Sequence, residues 1–92
     1  MAGNNLGVCH LELGEFDYAE RLFKEALVLD PLYPLPHYNL AVLAMCREDK
    51  DESLAHLAEA AQLGYTGGTL DKLAQRSKSI YARMEPVARH TG

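Results

Sequence analysis

An all-α fold is predicted for this 92-residue chain by three observations. Leu and Ala far outnumber Val, Ile and Thr, a balance that favours helices over strands. Apolar residues recur at three- and four-residue spacing, the period of one helix face. The pattern then returns at one fixed offset: Leu6-Gly7 as Leu40-Ala41, Ala19 as Ser53, Phe23 as Leu57 and Ala26 as Ala60. Small residues come back where helices approach closely, and large ones where a side chain fills the space between them. The length suits one small domain and excludes a multi-domain enzyme within these residues. Apolar residues at 48% and charged residues at 24% fit a folded chain.

The spacing predicts antiparallel helices at roughly 3–16, 17–30, 35–47, 51–63 and 69–83. In the first, Leu6, Cys9/His10 and Leu13 form a stripe, and Gly14 is a helix stop followed by Glu15 and Asp17, anions that suit the start of the next helix. The second carries Ala19, Leu22, Phe23, Ala26 and Leu27 until Asp30 and Pro31, where proline cannot continue the ladder. Pro34 and Pro36 open the third, where a missing N–H costs little. It runs through Leu40, Leu43, Ala44 and Arg47 and breaks in the charged stretch 48–52. The fourth, with Leu54, Leu57, Ala58, Ala61 and Leu63, ends at Gly64. After Gly67 and Gly68, Thr69 is placed to cap a fifth helix bearing Leu70, Leu73, Ala74, Ser77, Ile80 and Tyr81, which Met84-Glu85-Pro86 breaks. The expected core is Leu6, Leu22, Phe23, Ala26, Leu40, Leu54, Leu57 and Ala60.

Leu6-Gly7, Gly14, Ala19, Phe23, Ala26 and Pro31 at these spacings resemble the tetratricopeptide repeat, a helix-turn-helix unit of scaffolding proteins. Leu40, Ala41, Ser53, Leu57 and Ala60 repeat the resemblance. Gly3, His10 and Tyr65 depart from it, standing where the family commonly has an aromatic residue, Tyr and Pro. The resemblance implies a single domain, 1–92, that is a fragment of a right-handed α-solenoid: repeat one at 1–33, repeat two at 34–66, and a capping helix with a basic tail at 67–92. The polar side of that last helix is expected to hold Asp71, Lys72, Arg76 and Lys78.

Charge divides unevenly along the chain. Residues 1–33 carry 2 positive and 6 negative groups, residues 34–66 carry 2 and 5, and residues 67–92 carry 5 and 2. An acidic body offers no cationic field for a phosphate backbone, so nucleic acid is not an expected partner. No apolar run approaches the roughly 20 residues of a membrane span and no signal peptide is evident, so a cytoplasmic location is expected. Cys9 and Cys46 read as buried thiols and not as a disulfide framework.

No phosphate-binding glycine loop, nucleophile elbow or zinc-protease helix occurs, and the carboxylates sit at turns and on polar helix faces. No enzyme activity and no cofactor are expected. Cys9, His10, His37, Cys46 and His56 include metal-ligating types, but Cys9 and His10 point to different sides of one helix. His37 and Cys46 stand more than two turns apart, so no metal is expected.

What the resemblance implies about function is binding of a protein or peptide on the face lined by the first helix of each unit. The expected lining is Asn4, Val8, Leu11, Tyr38, Asn39, Val42 and Met45, with Glu12 and Cys46 beside them. Its apolar members suit the nonpolar side of a helix or an extended segment. The alternative is that the chain's own tail or a second copy covers them. A regulatory or substrate-presenting segment of a larger enzyme is the second functional reading. A homodimer or a longer native chain is also expected, since two repeats are fewer than the three or so that usually bury a continuous core.

Overall fold

Glycine, proline and a left-handed glutamate punctuate the chain into helices where the sequence predicts them. The computed structural model describes residues 2–65 and 67–84, with side chains described at 6–65 and 67–82. Among the described residues there are five helices and no strand: α1 (Ala2–Glu12), α2 (Phe16–Leu29), α3 (Pro34–Cys46), α4 (Lys50–Gln62) and α5 (Leu70–Met84). The expected breaks at Glu85 and Pro86, and the basic residues Arg83 and Arg89, lie outside the described side chains.

The helix ends obey the same repeat as the apolar positions. Gly14 takes φ 79° after α1, and Glu48, one repeat further on, takes φ 61° after α3. The same left-handed turn follows both: Glu15 N–H donates to the His10 carbonyl at 2.9 Å, and Asp49 N–H donates to Ala44 at 2.9 Å. This turn stops α1 at Glu12, short of the expected residue 16. Asp49 then caps α4, its carboxylate accepting from Glu52 N–H at 3.2 Å. Pro34 sits in the first turn of α3 as expected.

Each hairpin buries a stripe of mixed size. Ala19, Leu22, Phe23 and Ala26 are the buried residues of α2. In α3 every residue from Asn39 to Ala44 is buried, so α3 is the central helix, packed by α2, α4 and α5. Ser53 of α4 is fully buried and donates its hydroxyl to the Ala41 carbonyl at 2.8 Å, which pins the α3–α4 register. Beside it, Ala60 is the other buried residue of α4.

Two expected core residues are corrected. Leu6 is 48% exposed and Leu54 is 42% exposed. The inward positions belong to their neighbours: Gly7 lies against the Phe23 ring, and Ser53 against the α3 backbone. For the same reason Leu13, Ala58 and Ala61 face solvent, and Leu57 and Leu63 are half-buried. Cys9 is exposed, against the expectation of a buried thiol, while Cys46 is buried.

The fifth helix does not add a further layer on α4. Thr69 caps it as expected, accepting from Lys72 N–H at 3.2 Å. It packs chiefly on α3 and runs parallel to it: Gly68, just before α5, touches Tyr38 near the start of α3, and the Tyr81 hydroxyl donates to the carbonyl of Cys46 at its end.

Candidate functional site

The first helices of the two hairpins, α1 and α3, present one face made of the residues that the sequence singles out for binding. Leu11 and Val42 are fully buried, Asn39 is nearly so, and Val8, Tyr38 and Met45 are partly buried. Asn4 lies outside the residues whose side chains are described. The face is assembled as expected but is not open, because α5 lies on it. Leu73 and Ile80 of α5 are fully buried in one cluster with Leu11, Leu40, Val42 and Cys46. Three- and four-residue spacing puts Leu73, Ser77 and Ile80 on one stripe of α5, and all three are buried there.

Polar groups fix the register of the seated helix. Arg76, expected on the solvent side, instead reaches α1 and donates to a Glu12 carboxylate oxygen at 2.8 Å. The Tyr81 hydroxyl meets the Cys46 carbonyl, one of the acceptors that a helix C-terminus leaves without an intrahelical donor. Burial pushes the Cys46 thiol up from its ordinary value, and a hydrogen bond from Ser77 and the Arg76 charge oppose this only in part. At the other end the Tyr38 and Tyr65 rings pack at 4.9 Å, and burial with the nearby Tyr65 pushes the Tyr38 phenol up. A Cβ on Gly68 would stand 2.8 Å from Tyr38 and 2.9 Å from Leu57, so the connection into α5 passes where only glycine fits. No pocket opens among the described residues.

Carboxylates otherwise serve as ties between helices. Arg47 bridges α3 to the first turns of α2, contacting Asp17 at 2.6 Å and Glu20 at 3.1 Å. Burial raises the Glu20 carboxyl, but the Arg47 and Lys24 cations outweigh it and hold the group below its ordinary value. His10 meets Glu15 at 2.7 Å across the α1–α2 turn.

A second constellation was not legible from the spacing of cysteines and histidines alone. His37 in the first turn of α3, and His56 and Glu59 on α4, place one ligand-type atom each within 4.8 Å of one another. The signal was the hairpin register: residues 41 and 53 are paired, so stepping one turn towards the open end brings 37 opposite 57, between His56 and Glu59.

The tetratricopeptide repeat family matches residues 4–33. An uncharacterized TPR repeat-containing protein of Arabidopsis thaliana is 42% identical over 66 residues, which covers 60% of this chain. The chain spans 8% of that relative's length. No solved structure matches. Among the described residues, no helix is long and apolar enough to cross a membrane.

Proposed function

We propose that the α1–α3 face is a helix-binding groove with α5 as its resident helix, on the support of the match of residues 4–33 to the tetratricopeptide repeat family, whose repeats generally mediate protein–protein interaction. The observation that carries this reading is the seating of α5 on the residues expected to bind a partner. A partner helix with an apolar residue, a small residue and a second apolar residue at the positions of Leu73, Ser77 and Ile80 enters by exchange with α5. Tethering sets the threshold: a short connection holds α5 at an effective concentration on the order of millimolar, so an untethered helix of equal affinity does not displace it. No catalytic step is assigned to the groove, and a cytoplasmic setting is part of the proposal. A homodimer is proposed through a separate apolar surface at the end of α2.

The test is a fluorescent peptide of residues 69–84, titrated into the chain and into an Ile80→Glu variant whose own α5 is loosened. The variant is expected to bind the peptide at least tenfold more tightly than the parent chain. Equal binding, with helical circular dichroism preserved, would show that the face is ordinary core and not an exchangeable groove.

A further inference from the structure

We propose that His37, His56 and Glu59 form a binding site for one divalent transition-metal ion of the zinc class, stapling the open end of the α3–α4 hairpin. Two imidazoles and a carboxylate are a donor set that zinc takes readily, with water completing the coordination. The three donor atoms already lie within 4.8 Å of one another. Zinc bonds of about 2.0–2.2 Å in tetrahedral geometry put ligand atoms roughly 3.3 Å apart. His37 Nε2 and Glu59 Oε2 stand 3.8 Å apart, so closing the set takes a shift of well under an ångström for this pair. Glu59 is half exposed and free to make it.

The histidines are placed as ligands and not as ordinary core residues. Nδ1 of His56 is buried with no hydrogen-bond partner while its Nε2 faces Glu52, which leaves that nitrogen available to a metal; on His37 the donor is Nε2, and its own buried Nδ1 stays unpartnered with or without the ion. The rings lie 5.9 Å apart, close enough that two imidazolium charges would repel. Burial, with a smaller contribution from the neighbouring His56, holds the His37 pKa below its ordinary 6.5 despite Glu59. Glu52, 3.6 Å from His56 Nε2, adds a second carboxylate beside the cluster and suits a hydrogen bond that orients the ring. The site uses α3 and α4 alone and is independent of whether the groove reading holds.

The experiment uses the full chain without a histidine tag, stripped with chelator and titrated with zinc sulfate at pH 7.5 by calorimetry. One equivalent is expected to bind, with a rise in Tm that added chelator reverses. Glu59→Gln and His56→Gln are each expected to weaken binding at least tenfold, while a Cys9→Ser, His10→Gln double variant binds as the parent does. Glu59 is on the surface, so its variant keeps the helical signal and remains informative if the His56 variant unfolds. Absence of binding, binding unchanged in Glu59→Gln, or binding lost only in the Cys9/His10 variant would each overturn the proposal.

Discussion

Gly7 shows how tightly a single position is fixed by what it touches. A Cβ there would stand 2.6 Å from the Phe23 ring, so Gly7→Ala forces the ring aside and is expected to cost about 1–3 kcal/mol. Phe23→Ala, which empties the same fully buried site, is expected to cost about 3–5 kcal/mol in urea unfolding. A loss below about 1 kcal/mol would remove Phe23 from the centre of the core. In the second repeat the pair becomes Ala41 and Leu57, a larger small residue against a smaller large one. That trade is legible in the sequence; the phase of the stripe is not. Choosing the bulkier residue put Leu6 and Leu54 inside, whereas the helices turn Gly7 and Ser53 inward because close backbone approach is what the hairpin buries. The left-handed turn gives a change of opposite sign: Glu48→Gly, at φ 61°, is expected to stabilise by up to about 1 kcal/mol. For His37 the sign follows from its lowered pKa. The unfolded chain takes up the proton more readily, so the contribution is fully present above about pH 6.5 and is lost as pH falls below it. Metal-free chain should therefore lose stability from pH 7 to 5, and His37→Gln should flatten that slope.

At the scale of the helix, boundaries were readable because they rest on local chemistry. Pro34, Asp49 and Thr69 start helices, and Gly14 and Gly64, both at positive φ, stop them. Where α5 goes was not readable. Its stripe of Leu73, Ser77 and Ile80 announces that one face packs, but the same stripe would serve a further layer on α4 or a seat on α3. The choice is made by contacts distant in sequence, Arg76 to Glu12 and Tyr81 to the Cys46 carbonyl. Of these forces the apolar one dominates. Leu73→Ala or Ile80→Ala is expected to cost about 2–5 kcal/mol, since each removes a fully buried side chain. Glu12→Gln should cost under about 1 kcal/mol, because both partners of its ion pair keep about a third of their surface in water. Hydrogen exchange along α5 measures both: accelerated exchange in the Glu12 variant equal to that in the Ile80 variant would make the ion pair the principal tie.

For the molecule as a whole, the seating of α5 changes the argument for self-association. The groove is already covered within one chain by α5, so it does not call for a second copy. Leu22, an expected core residue, is only 9% exposed and calls for no partner either. The most exposed large apolar side chains among the described residues lie on a different surface: Val28 and Leu29 in the last turn of α2 are each 80% exposed, and Leu32 in the following turn is 73% exposed. The equivalent positions of the second repeat hold Gln62, Leu63 and Thr66 in sequence, so this apolar cluster is a property of the first repeat and not of the repeat pattern. Three large apolar side chains so close together are more than isolated exposed leucines, and association would remove them from water. A dimer held this way is indifferent to screening, unlike one held by the complementary charges of tail and body. Sedimentation at tens of micromolar should then give a dimer that persists at about 0.5 M salt, where the Debye length falls below roughly 5 Å. Leu29→Glu with Leu32→Glu should return it to monomer without loss of helical signal, as both side chains point into solvent. A parent chain that sediments as a 10.2 kDa monomer would end the dimer proposal and leave α5 as the cover that makes two repeats sufficient.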